Sequence, residues 1–279
     1  MSILGRLRAK RKKFYDDDFD WDVYTDTSYA RQLDKIARTH GMIASEGELR
    51  FDPATNTVSP GTPPLHENAL LIMEAIGRLG PGSVHEVGCG GGDHMGNAAR
   101  LFPGVRFSGS DRSEGQLDLL RKRHPGLGDR VMLQDLTMPF SDHWPQAELV
   151  FSQAVIMHIH TAVSHFVALS NMMRMAGRYV LWMENVQCHE FVAEVQALHA
   201  GGHSGWDVMH LYRFDGSHGA AALLASKTPL DLPPVTCDAD MRAGVTVSER
   251  RLRRSAEGSA RATYGPATPF APGAPSQDA

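Results

Sequence analysis

Hydrophobic and polar positions between residues 63 and 226 switch repeatedly between a helical and an extended period. Over residues 63–79, Leu65, Ala69, Leu70, Ile72, Met73, Ile76 and Leu79 recur near helical spacing, which predicts a helix. Gly80, Pro81 and Gly82 stop it. The short run 83–87 predicts a strand, and residues 93–102 a helix with Asp93 as its N-cap. A strand over 105–109 and a helix over 113–124 follow, the latter with Ser113 and Gln116 in capping-box spacing. Strands are predicted at 131–133 and 148–151. A helix over 162–176 ends with Gly177 at its C′ position. A strand over 178–183 and a helix over 190–199 complete the alternation, and 208–214 with 220–225 predict a hairpin. This order implies an α/β fold: a doubly wound, mostly parallel seven-stranded sheet with one antiparallel strand.

The flanks are patterned differently. Ile3, Leu4, Leu7 and Phe14 fall near one helical face among Lys and Arg residues. This fits either a short interfacial helix making peripheral membrane contact through residues 1–14, or a solvated arm. Residues 44–64 are polar and turn-rich, a linker or a surface hairpin. In 255–279, 17 of 25 residues are Ala, Gly, Pro or Ser, too little apolar surface to offset ordering, so a disordered C-terminal tail is expected. Four segments result: an N-terminal helical extension over 1–62, a main domain over 63–226, a C-terminal extension over 227–254 and the tail.

Composition narrows the class. The 279 residues are 42% hydrophobic and 22% charged, ordinary for a soluble globular chain. The three cysteines, Cys89, Cys188 and Cys237, form no CxxC pair, which argues against a disulfide scaffold or zinc ribbon and favours a reducing cytoplasm. No apolar run reaches the roughly 18 residues of a membrane span, and no apolar region follows the basic N-terminal stretch, so no secretory signal is expected. The net charge of -4 is concentrated in an acidic body. Residues 1–30 are neutral and residues 248–279 weakly basic. Without a concentrated positive field, nucleic acid is not an expected partner.

The most informative stretch is Glu86-Val87-Gly88-Cys89-Gly90-Gly91-Gly92-Asp93, where a strand passes into a helix. Glycines there let the backbone turn tightly and approach a ligand at the carboxyl edge of the sheet. The dinucleotide fingerprint GxGxxG needs its third glycine where Asp93 stands, and a carboxylate there would oppose a pyrophosphate. The loop fits instead the form (Asp/Glu)xGxGxG through Glu86, Gly88, Gly90 and Gly92.

At this loop the chain resembles the class I S-adenosylmethionine-dependent methyltransferases, and the resemblance extends over about 63–226. It implies S-adenosylmethionine as cofactor. The loop residues Glu86, Gly88, Cys89, Gly90 and Gly92 would cradle it. Asp111 with Arg112, after the second strand, would take the ribose hydroxyls. Asp135 and Leu136, after the third, would take the adenine, and Gln153, ending the fourth, would begin the segment under the methionine part. The stretches around 155–159 and 179–185 also look like bacterial methyltransferases found with surface-polysaccharide genes.

Methyl transfer from a sulfonium is an in-line displacement in which the protein mainly positions the acceptor. A base is needed only when the acceptor must lose a proton. His158, just past the fourth strand, is the candidate catalytic base. His160 and His165 are weaker candidates, and Glu184 and Asn185 are placed to line an acceptor pocket. No (Asp/Asn)-Pro-Pro-(Phe/Tyr) motif follows the fourth strand, which argues against amino-group methylation of DNA bases or glutamine. The fourteen histidines include no HExxH pair, so no metal is expected. The expected activity is methyl transfer to a small-molecule or glycan/lipid-linked acceptor, with oxygen favoured. An NAD-linked oxidoreductase and a non-catalytic cofactor-binding scaffold are the alternatives. Trp21, Tyr24, Tyr29 and Phe51 are candidates for a lid over the acceptor pocket.

Overall fold

The computed structural model describes Thr25, Arg31 and residues 41–159, 163–185 and 189–242. Its elements are β1 (Phe51–Asp52), β2 (Thr57–Val58), α1 (Glu67–Leu79), β3 (Ser83–Val87), α2 (Asp93–Leu101), β4 (Arg106–Asp111), α3 (Glu114–Arg123), β5 (Val131–Leu133), β6 (Ala147–Gln153), α4 (Ser164–Met175), β7 (Ala176–Met183), α5 (Phe191–Ala200), β8 (His210–Asp215), β9 (Ala221–Ser226) and α6 (Asp238–Arg242). The main sheet has seven strands in the order β5-β4-β3-β6-β7-β9-β8. Strand β9 runs antiparallel to both of its neighbours, and the other pairings are parallel. The expected fold class is the one observed.

Leu149, Val150 and Phe151 are consecutive in β6 and all fully buried, which requires a strand covered on both faces. Alternate residues divide between two cores. Leu149 and Phe151 join Leu181, Phe107 and residues of α1, α2 and α3. Val150 joins Val180, Trp182 and residues of α4 and α5. The carboxyl ends of β3, β4, β5 and β6 lie side by side between these layers, where loops can converge on a ligand.

Three local expectations are corrected. Gly92, not Asp93, caps α2: it takes a left-handed φ of 77° and makes no side-chain cap, and Asp93 is the first helical residue. Gly177 does not end α4. The helix passes directly into β7 at Ala176, and Gly177 is not among the left-handed glycines, so it makes no left-handed cap. Helix α1 begins after the two prolines, where His66 Nδ1 accepts from the Asn68 N–H at 3.2 Å.

The 44–64 stretch contains the β1–β2 hairpin. A Cβ on Gly77 of α1 would overlap the Phe51 ring, so the hairpin rests directly on that helix. Buried Glu74 fastens it: the carboxylate accepts from the Val58 N–H at 3.1 Å and from the Ser217 N–H at 2.9 Å. Among the described residues, no helix is long and apolar enough to cross a membrane. Residues 1–14, Trp21, Tyr24, Tyr29, His160, Cys188 and the 255–279 tail lie outside the described residues.

Candidate active site

The loop after β3 is built on three left-handed glycines: φ is 66° at Gly88, 50° at Gly90 and 77° at Gly92. An L side chain is strained in this region. Two of the three are also held close. A Cβ on Gly88 would overlap Val155, and one on Gly92 would overlap Leu120 of α3. The glycine loop therefore packs against the segment after β6. Cys89 points into protein. It is buried, its N–H donates to the Ser110 carbonyl at 2.9 Å, and burial pushes its thiol well above the ordinary cysteine range. A thiol held protonated is no nucleophile.

Asp111, at the end of β4, faces this loop. Its Oδ2 accepts from the Gly90 N–H at 2.9 Å, and its Oδ1 from the Ser113 N–H at 2.9 Å. Burial raises its pKa, against these hydrogen bonds and the charge of exposed Arg112. The Asp111 carbonyl accepts from the Gln134 N–H at 2.8 Å, which brings the end of β5 alongside. There Asp135 is half-buried and its Oδ1 accepts from the N–H and hydroxyl of Thr137. Leu136 is buried and its carbonyl accepts from Asn171 at 2.8 Å. Glu86, Gly88, Gly90, Gly92, Asp111, Asp135 and Gln153 thus lie on one edge of the sheet.

Glu86 is 2% exposed, and its Oε1 lies 3.0 Å from His94 Nδ1. Burial raises the Glu86 pKa, opposed by His94. Burial also works against charge on His94, yet its bond to Glu86 raises its pKa overall. Glu86 Oε2 and Gln116 Oε1 are buried and have no hydrogen-bond partner among the described residues. Gln116 Oε1 lies 3.4 Å from where a Gly90 Cβ would stand. Buried acceptors without donors are rare in folded proteins. A ligand carrying ammonium and hydroxyl donors satisfies them, so the residues fit S-adenosylmethionine. Thr25 reaches the same place: the Gln116 amide donates to its hydroxyl at 2.7 Å.

Strand β6 ends in a turn over Ile156–His158, entered through Ala154 with φ of 53°. Glu184, after β7, holds this turn. Its carboxylate accepts from the Ser152 hydroxyl at 2.7 Å, the Val155 N–H at 3.0 Å and the Met157 N–H at 3.2 Å. Glu184 and Asn185 were expected to line an acceptor pocket, but the Glu184 carboxylate is occupied by the turn. His158 stands exposed on it. His165 is instead fully buried in α4.

Sequence reasoning missed the pairing of Asp93. Its carboxylate is bound by Arg123, with contacts of 2.6 and 2.8 Å, and by His124 at 3.1 Å. It is neutralised by α3 rather than aimed at a ligand. Paired in this way, Asp93 would not oppose a pyrophosphate, and the glycine register carries the distinction from a dinucleotide loop. His85 was also unassigned. It is fully buried between the Ser108 and Ser110 hydroxyls at 2.9 and 3.0 Å, and burial lowers its pKa to about 3.

Residues 85–181 match the family model described as a methyltransferase domain. No curated protein matches the sequence. Among solved structures, an amino pentose methyltransferase from Micromonospora echinaspora is 22% identical, with 43% of this chain and 50% of that chain covered and a TM-score of 0.38. DesVI of Streptomyces venezuelae is 13% identical, covering 72% and 99%, with a TM-score of 0.48. The magnesium protoporphyrin IX methyltransferase of Synechocystis is 17% identical, covering 76% and 100%, with a TM-score of 0.46. The chain spans half the length of the first of these. The family likeness is therefore to methyltransferase domains, and it is carried by residues 85–181.

Proposed function

We propose that the protein transfers a methyl group from S-adenosylmethionine to a small-molecule or glycan/lipid-linked acceptor, at oxygen. The observation that carries this reading is the contact between the Gly90 N–H and the Asp111 carboxylate, which joins the left-handed glycine loop to the second strand end. When bound, the cofactor supplies an activated methyl group. The chain's residues bind and orient it. Asp111, with Arg112 beside it, takes the ribose hydroxyls, and Asp135 and Leu136 flank the adenine. Gly88, Cys89, Gly90 and Gly92 give a floor without bulky side chains. Glu86 accepts from the amino-acid part, and Gln153 opens the segment beneath it.

His158 takes the proton of an acceptor hydroxyl. Its support is its place on an exposed turn anchored by Glu184, at the carboxyl edge where the acceptor must approach. The arm over 1–62, through Thr25, shapes the same pocket. The test is a screen of sugars, phenols and carboxylates with labelled S-adenosylmethionine, run on the wild type and His158→Gln. Label on a hydroxyl acceptor, lost in the variant at unchanged cofactor affinity, supports the reading. Equal turnover removes His158 as base, and transfer only to amines overturns oxygen as acceptor.

A further inference from the structure

We propose that His165, His189 and Glu194 form a binding site for one divalent transition-metal ion of the zinc class. His165 and Glu194 lie on α4 and α5, and His189 lies two residues before α5. Their exposures are 0%, 6% and 8%. One potential ligand atom from each lies within 4.8 Å of the others.

Three observations favour an ion over a plain His–Glu pair. The first is spacing. His165 Nε2 and Glu194 Oε1 are 3.3 Å apart. Donors at about 2.0–2.1 Å from a tetrahedral zinc stand about 3.3 Å from each other. A charge-assisted bond between buried imidazolium and carboxylate closes further, to about 2.7–2.9 Å. The second is orientation. His189 Nε2 lies 3.2 Å from the Ile156 carbonyl oxygen. A carbonyl only accepts, so Nε2 carries the proton. Metal-bound histidines characteristically donate their other ring N–H in this way. The third is packing. The His165 and His189 rings stack at 4.4 Å with an interplanar angle of 10°, which sets the two imidazoles side by side within reach of one ion.

Two imidazoles and a carboxylate suit zinc, cobalt or nickel rather than magnesium or calcium, which prefer all-oxygen sets. An ion here ties α4 to α5 and, through His189, to the turn over Ile156–His158. It fastens the support of the acceptor side and does not touch the cofactor loop. The site stands apart from the proposed methyl transfer and can be tested without it.

The experiment is titration of the tag-free full chain with Co2+, followed by visible d–d absorption, alongside the Zn2+ content of the protein as purified. The variants are Glu194→Gln and His189→Gln, each checked for fold by circular dichroism. One equivalent of Co2+ in the wild type, displaced by Zn2+ and bound at least tenfold more weakly by a folded variant, supports the site. No stoichiometric uptake by the wild type overturns it, as does equal uptake by both variants. The wild-type titration decides if neither variant folds.

Discussion

The backbone N–H of Gly90 donates to Asp111 Oδ2 at 2.9 Å. Two consecutive strand ends are thereby locked together through a residue whose left-handed backbone leaves its N–H pointing across the gap. Hydrogen bonds to a charged group contribute about 1.5–3 kcal/mol. Asp111→Ala therefore weakens S-adenosylhomocysteine binding by roughly 10- to 100-fold, measured by calorimetry. Unchanged affinity would remove Asp111 from the cofactor site.

The same carboxylate sets a pH dependence. Burial raises its pKa above the ordinary aspartate range. Cofactor hydroxyls donate to the ionised form, so affinity falls on acidification, beginning at a higher pH than an exposed aspartate would give. Binding measured between neutral and mildly acidic pH shows this fall in the wild type, and a flatter profile in Asp111→Asn.

Gly88→Ala forces an L side chain into a left-handed conformation and against Val155. The backbone strain alone costs about 1–3 kcal/mol. Both the melting temperature and cofactor affinity drop. Gly126→Ala is the control, because no atom lies within 4 Å of its Cβ position. A Gly88 variant as stable and tight-binding as the control contradicts the packing described here.

Much of this geometry was legible in the residues. The runs 83–87 and 131–133 form strands with those same bounds, because short apolar segments between glycine or polar turns have few alternatives. Ser113 caps its helix as the spacing predicts, its side chain accepting from the Gln116 N–H. What escaped depends on partners distant in sequence. Asp93 looks like a cap until Arg123, thirty residues on, claims its carboxylate. Gly177 looks like a helix stop, but α4 runs straight into β7, whose pairing with β6 takes over at Ala176. His165, His189 and Glu194 match no metal motif because only the packing of α4 on α5 brings them together.

His85 makes folding sensitive to acid. Its pKa is about 3 in the folded chain, against about 6.5 when exposed. The unfolded chain therefore takes up a proton first, and the stability held above pH 6.5 is lost as pH falls from there toward 3. The slope reaches about 1.4 kcal/mol per pH unit for one proton. Urea unfolding of His85→Asn shows a shallower loss over that window than the wild type. Parallel curves would count against a neutral, buried imidazole.

Glu184 acts on turnover more than on cofactor binding. Glu184→Gln weakens its hold on the Val155 and Met157 N–H groups and so loosens the turn carrying His158. With a reactive acceptor in hand, kcat falls about tenfold or more while S-adenosylhomocysteine affinity changes little. An equal loss in both would place Glu184 in the cofactor site instead.

In the proposed function, the loop over Gly88–Gly92 and its facing acids hold S-adenosylmethionine. Calorimetric titration of the purified chain with S-adenosylhomocysteine, with NADH as competitor, tests it most directly. The expected result is one site per chain, undisturbed by NADH and severely weakened in Asp111→Ala. No heat and no thermal shift at millimolar S-adenosylhomocysteine, or displacement by NADH, would contradict it.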